Sequence, residues 1–484
     1  MAEARRPSAA RGLAAISGAS IISIVVTGGI AIAMPLALDL HAYAYWQLFS
    51  LYLSFSGFFV LGFNDGMYQK FAQRSFGAAE MGTLAAYKWI VLALGLISCI
   101  AVTTISSFLP NDKGFAVVSV GICLSFFGMT GFLTYVNQLA GRLYQVALAS
   151  VVERVSLLLA TIALMASGCH DYRLFIIVCI GASVFKLLYL GWSARSVVMG
   201  RSRYRMAWRR DFLDIIALGF PIMLSILFSG SIVVPSRLVV ERHLGPEPFA
   251  LYSFAMTIVF VTGTVLSSVS QAAFPLLARV PREDQVAAVK KVHSSLVVVG
   301  SLLLTAYFAA DVAIQFLYPK FTGSLEFLGY LFPLVIFQTK YILLLSNFLR
   351  VRGRIGRLVL VATTGMATNL LAGLFVVERT HSVVWVAVAS LAAYGVWQAF
   401  WWRAELGGSG PMVHLWDWGE LAVVIGFLGC VQIPILSGVS AGARVWVSFL
   451  AYVAFLAVVG LLGRTSVITA LAPLIGRVPR LNGS

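Results

Sequence analysis

Three cationic side chains, Arg154, Lys186 and Lys340, lie deep inside long apolar runs of the sequence. A Lys or Arg at the centre of a helix in hydrocarbon costs roughly 2.5 to 3.5 kcal/mol. Such groups persist where something offsets that cost: a carboxylate, a water-filled cavity, or an anion that accepts charge-assisted hydrogen bonds. Their depth follows from a helical rise of about 1.5 Å per residue. Arg154 is about 18 Å from Arg142, Lys186 about 14 Å from Arg195, and Lys340 about 15 Å from Arg350. All three fall near the midplane of a roughly 30 Å core.

One acid, Glu153, lies at matching depth and is expected to pair with Lys186 on the neighbouring helix. That leaves surplus positive charge. The expectation is that Arg154, Lys186 and Lys340 line a cavity that receives an anionic group. The competing reading makes them bundle-stabilising pairs and donors to backbone carbonyls. Arg237 lies near the outer boundary, where its long stem lets it snorkel to water. Asp311, near the outer end of its span, is expected to face water, with ion coupling as the alternative.

Other chemistry is absent from the pattern. The six histidines are scattered, and no nucleophile, paired-carboxylate or metal-ligand spacing emerges. The five cysteines form no CxxC pair. No enzyme, cofactor or metal is expected.

The elements that position these residues are apolar helices. Of 484 residues, 60% are apolar and only 11% charged; a soluble domain normally carries about 25% charged residues. The runs are long enough to cross a bilayer as helices. They lack the alternation of barrel strands. Fourteen spans are expected, at 12–38, 43–64, 84–108, 115–138, 143–167, 173–195, 212–240, 248–278, 291–318, 325–349, 357–378, 381–402, 417–437 and 443–463. The first follows a basic start but is too long for a signal peptide, so it is read as retained.

The formal charge of +16 gathers on alternate connections: Lys70 and Arg74, Arg142, Arg201 to Arg210, Arg279 to Lys291, Arg350 to Arg357, and the tail from Arg464. That bias places those loops and both termini in the cytoplasm of an inner-membrane protein. It argues for topology and anionic-lipid contact, not nucleic-acid binding. Trp46, Trp208, Trp401, Trp402, Trp416 and Trp418 are expected at the interfaces.

The stretch from Gly18 to Leu51 resembles that from Gly219 to Phe254. Asp39 and His41 fall opposite Glu241 and His243, and Trp46, Phe49 and Ser50 opposite Phe249, Tyr252 and Ser253. The copies begin six spans apart, which predicts parallel repeats. The expected domains are a six-helix bundle over 1–200, a second over 201–405, and two added helices with a tail over 406–484. Pro35, Pro221 and Pro275 are read as potential kinks, and Gly28-Gly29 and Gly128 as loosened positions.

The segment Arg237-Leu-Val-Val-Glu241-Arg-His-Leu-Gly245, followed by Phe249–Ala255, and the opening helix with Gly62-Phe63 closing the second span, resemble the polysaccharide-transporter (Wzx-type) family. That family belongs to the multidrug/oligosaccharidyl-lipid/polysaccharide exporter superfamily. The family's Asp-Arg pair and Gly-x-Tyr-x-x-Ala are altered here, with Ser236 for the Asp and Ala250 for the Gly. The resemblance implies a MATE-like fold of two bundles around a cavity that opens to alternate sides. It implies a flippase for undecaprenyl-pyrophosphate-linked oligosaccharide repeat units, serving O-antigen, capsule or exopolysaccharide synthesis, with polysaccharide polymerase machinery as a partner. The pyrophosphate is then the expected anion. Asn137, Gln138, Gln338, Asn347 and Asn369 are expected as helix–helix contacts, with sugar hydroxyls as the alternative partner.

Two rivals remain. A cation-coupled multidrug exporter would share the fold, but the first helix carries no acid before Asp39. A membrane polysaccharide polymerase or ligase needs a large external loop, and the loops at Glu241–Glu247 and Pro319–Ser324 are short.

Overall fold

The computed structural model describes residues 6–72, 78–200, 208–406, 414–436 and 441–462. Its described residues form helices and no strand, and the helices fall on all fourteen expected spans. Nine helical stretches among the described residues are long and apolar enough to cross a membrane, two of them running through more than one helix, and ten if a bent pair counts as one span. The chain is a multi-pass membrane protein. It divides into two compact units, Met1–Gly230 and Ser231–Ser484.

The first unit contains α1 (Arg6–Ala37), α2 (Leu40–Leu53), α3 (Phe63–Ala72), α4 (Ala78–Ser106), α5 (Asn111–Leu139), α6 (Leu143–Ala166), α7 (Tyr172–Ser193), the short α8 (Arg195–Val198) and α9 (Trp208–Gly230). Helix α4 packs along α5, α1 along α6, and α7 against both α5 and α6. The side chain of Asp39 caps α2 by accepting a hydrogen bond from the Ala42 amide.

The second expected span does not end at Phe63. After α2 the chain passes through a 3-10 turn, Ser56–Val60, and a left-handed pair, Leu61 (φ 53°) and Gly62 (φ 72°). It then resumes as α3, bent by 55°. The new direction lays α3 on α9 and on α5. Asn64 anchors it by donating to the Gly128 carbonyl at 2.8 Å. Phe63, Met67 and Phe71 pack with Tyr87, Phe132, Leu190 and Ile215 in the core of this unit. Helix α9, aligned by the repeat with the opening helix, therefore packs within the first unit. The repeat is not carried through as one unbroken helix either, because the chain turns after Gly230 and restarts at Val234.

The second unit contains α10 (Val234–Leu244), α11 (Pro246–Ala278), α12 (Gln285–Leu303), α13 (Ala306–Leu317), α14 (Leu325–Leu331), α15 (Leu334–Lys340), α16 (Asn347–Val351), α17 (Ile355–Thr380), α18 (Val383–Leu406), α19 (His414–Leu436) and α20 (Ala441–Leu462). Between α15 and α16 the helix widens into a π segment, Tyr341–Ser346. Single π turns occur often at functional positions.

The last two helices are built into this unit. Phe427 of α19 and Phe449 and Tyr452 of α20 join an aromatic cluster with Tyr307, Phe308 and Phe332. The Tyr452 hydroxyl donates to the Ser301 carbonyl at 2.8 Å.

Trp46, Trp401 and Trp402 are buried, contrary to an interfacial role. The physical reason differs for each. Trp46 packs on Phe49, Trp401 donates to the Thr364 hydroxyl at 2.8 Å, and Trp402 faces a cation. The side chains of Trp208, Trp416 and Trp418 lie outside the described residues, as do the basic positions Arg74, Arg201 to Arg205 and the tail from Arg464.

Candidate functional site

In the first unit, Glu153 and Arg154 are consecutive on α6, so their side chains point to different neighbours. Glu153 meets α7, where Ser183 and Lys186 lie one turn apart and present to the same face. Lys186 Nζ sits 2.7 Å from Glu153 Oε2, and Ser183 Oγ donates to Glu153 Oε1 at 3.3 Å. The expected Glu153–Lys186 pair is formed. Both carboxylate oxygens are engaged and the pair is neutral.

Arg154 turns toward α1 and donates from Nη1 to the Thr27 hydroxyl at 3.1 Å. Its side chain is exposed. Among the described residues no carboxylate lies within ion-pair distance of it. Among the described residues, Arg154 is thus a mid-helix guanidinium with no carboxylate partner beside a satisfied ion pair.

The pair is partly accessible, with side-chain exposures of 19% and 16%. Lys186→Met leaves Glu153 with only the Ser183 hydroxyl, and we expect a loss of about 1 to 2 kcal/mol, below the figure for fully buried pairs. The unfolding midpoint of the detergent-solubilised protein measures it. No change would mean that water already neutralises the carboxylate.

The second unit overturns one expectation. Lys340 borders a cavity, but not as a surplus charge. Its Nζ lies 2.7 Å from Glu420 Oε2, the two side chains being 2% and 5% exposed. It also lies 4.7 Å from the centre of the Trp402 ring, and His293 Nε2 approaches the same carboxylate oxygen at 3.8 Å. Four helices converge: α12 supplies His293, α15 Lys340, α18 Trp402 and α19 Glu420. Sequence reasoning missed Glu420 because it sits at the start of its span, where an acid looks interfacial. The signal available was charge arithmetic: a cation at the centre of a span calls for an anion somewhere in the fold.

Two further expectations are corrected. Arg237 does not snorkel. It is 8% exposed, donates from Nε to Ser253 Oγ at 3.3 Å and lies over the Phe249 ring. Helix α10 turns Arg237 inward onto α11 while Arg242 and His243 stay exposed, so packing claims this one guanidinium. Asp311 does not face water. It is 3% exposed and accepts from Gln315 Nε2, one turn on, at 2.7 Å.

The amides behave as helix contacts where they bridge elements. Asn137 donates to the Leu133 and Leu190 carbonyls and accepts from Ser193. Asn369 reaches the Ser390 carbonyl. Two further basic residues, Lys88 and Arg142, are also structural. Lys88 donates to the Val198 and Gly200 carbonyls after α8, and Arg142 to the Ser193 carbonyl. Among the described residues no group of three or more His, Cys, Asp or Glu side chains is placed to hold a metal ion.

No protein-family model matches this chain, and neither does any curated protein. Solved structures do match at the level of fold. A structure described as the lipid II flippase MurJ in an inward closed conformation aligns with a TM-score of 0.61 at 13% identity, covering 94% of this chain and 99% of that one. An inward-facing multidrug resistance MATE family transporter of the MOP superfamily aligns with a TM-score of 0.61 at 14% identity, over 83% and 94%. The outward-facing form of such a transporter gives 0.56 at 13% identity, over 86% and 96%. The fold is MATE-like, as the resemblance implied.

Proposed function

We propose that this chain is a flippase that moves undecaprenyl-pyrophosphate-linked oligosaccharide repeat units across the cytoplasmic membrane by alternating access, for surface polysaccharide synthesis. The observation that carries the reading is Arg154: exposed, mid-span, and hydrogen-bonded to a hydroxyl instead of a carboxylate. An uncompensated guanidinium at that depth costs roughly 2.5 to 3.5 kcal/mol. A diphosphate offsets that cost with bidentate, charge-assisted hydrogen bonds. A cationic drug would add to it.

The neighbouring Glu153–Lys186 pair is balanced within itself. Lys186 is held by Glu153 on the α7 side, away from the α1 side to which Arg154 turns. In this reading Arg154 carries the anion contact, while Lys340, paired with Glu420, and Arg237, packed on Phe249 and Ser253, take no part. A structure described as a lipid II flippase and structures of drug transporters share this fold, so the cargo is read from Arg154 and not from the fold. Both termini then lie in the cytoplasm, with the basic connections on that side.

Replacing Arg154 tests the proposal. Arg154→Gln should fold, reach the membrane and reduce surface glycan at least tenfold, with lipid-linked repeat units accumulating at the inner leaflet. Arg154→Lys keeps the charge but loses the planar fork, and intermediate activity is expected. Wild-type glycan levels in Arg154→Gln would overturn the assignment.

A further inference from the structure

The second unit contains a cavity of about 460 Å³ walled by α14, α15, α18 and α19. That size suits a small organic molecule. Nearly all of its lining is apolar, and its polar groups are Lys340, Gln398 and Glu420, with the phenol of Tyr330.

Gln398 and Glu420 are 1% and 4% exposed. Each uses one end of its side chain on the protein. Gln398 Nε2 donates to the Phe337 carbonyl at 2.7 Å, and Glu420 Oε2 receives Lys340. Each then leaves one oxygen, Gln398 Oε1 and Glu420 Oε1, buried with no partner. An unsatisfied buried acceptor costs about 1 to 3 kcal/mol. Two in the lining of one cavity mark where an occupant should bring donors.

Charge decides the kind of donor. Lys340 and Glu420 already balance, so a bound ammonium would leave a net positive charge in a buried site, and an anion would meet two acceptors. Hydroxyls donate without adding charge. Two unpartnered acceptors ask for two hydroxyls. The rest of the cavity is too apolar to hold ordered water and suits a hydrocarbon body.

The entrance is apolar as well. Val396 of α18 and Leu421 and Ile425 of α19 line the cavity and are 70%, 44% and 58% exposed. A molecule that enters past them arrives from the acyl-chain phase. We propose that this cavity binds an uncharged single-chain lipid with a dihydroxyl head, of the monoacylglycerol type, its hydroxyls donating to Glu420 Oε1 and Gln398 Oε1. The site is independent of the transported cargo, because none of its residues belongs to the Arg154 cluster.

The test uses the full-length protein in nanodiscs of phosphatidylcholine and a photoactivatable monoacylglycerol carrying a diazirine in its chain. Saturable labelling of α18 and α19 peptides is expected, displaced by unlabelled monooleoylglycerol. Oleylamine and lysophosphatidylcholine of the same chain length should not displace it. Gln398→Leu removes one acceptor and should weaken labelling about fivefold, the worth of one hydrogen bond. Leu421→Trp narrows the mouth at an exposed position, where folding tolerates it, and should abolish labelling. Labelling that is unsaturable, or unchanged in both variants, overturns the site. Displacement by the amine as good as that by the diol overturns the head-group assignment.

Discussion

Glu420→Leu should destabilise the protein by about 3 to 5 kcal/mol, the cost of stripping one partner from a fully buried ion pair. The variant takes from Lys340 a carboxylate at 2.7 Å, in a site where the two side chains are 2% and 5% exposed. Neither bulk water nor lipid head groups can take its place there. The Trp402 ring, 4.7 Å from Nζ, recovers only part of the loss, since a desolvated cation–π contact contributes about 2 kcal/mol. The double variant Lys340→Met/Glu420→Leu removes both charges and keeps the volume. Buried pairs replaced in this way are commonly neutral or stabilising by about 1 to 4 kcal/mol. The double variant should therefore unfold at or above the wild-type midpoint. The unfolding midpoint in detergent, followed by far-UV circular dichroism, reads both. A single variant as stable as wild type, or a double variant as unstable as the single, would mean that the pair is not what joins α19 to the second unit.

The contrast between the two intramembrane lysines also explains what could be read in the sequence. Lys186 found its predicted partner because Glu153 lies on the adjacent helix at the same depth, and depth along a helix is computable from residue number. Lys340 found an unpredicted one eighty residues away, on a helix that the internal repeat did not cover. Pairing across a bundle depends on which helix faces are neighbours, and apolar periodicity is silent about that when a helix is apolar on all sides. The spans themselves were legible because bilayer thickness dictates their length. The breaks were not. Gly62 was visible as a glycine, but its left-handed φ and the 55° bend follow from the approach of α9, a long-range contact. The tryptophans misled for a related reason. An aromatic at a helix end suits an interface, yet an indole also fills a core gap and donates to a hydroxyl, as Trp401 does.

That approach of α9 to α3 sets the second large expectation: Gly219→Ala should separate the two helices and cost about 3 kcal/mol, the upper end of overpacking penalties. The backbones cross at glycines. A methyl on Gly219 would fall on the Gly62 carbonyl oxygen and the Gly66 amide. One on Gly66 would meet the Ile215 carbonyl, and one on Gly62 would lie 2.6 Å from the Gly219 carbonyl. These obstacles are backbone atoms, so no rotamer change relieves them; one helix must move. Movement would pull Phe63 and Met67 from the core they share with Ile215 and Phe132. It would also strain the anchor from Asn64 to the Gly128 carbonyl. Pro221, two residues beyond Gly219 on α9, has no amide to bond within the helix and offers the chain a local bend. The cost should therefore fall short of complete unfolding and register as a lower midpoint. Gly28→Ala is the matched control. Gly28 also lies within a membrane-spanning helix, but nothing stands within 4 Å of an added methyl, and alanine is the better helix former by up to about 1 kcal/mol. That variant should be neutral or more stable. Equal midpoints for the two alanine variants would show that the α3–α9 crossing tolerates separation and that the bend at Gly62 is not held by it.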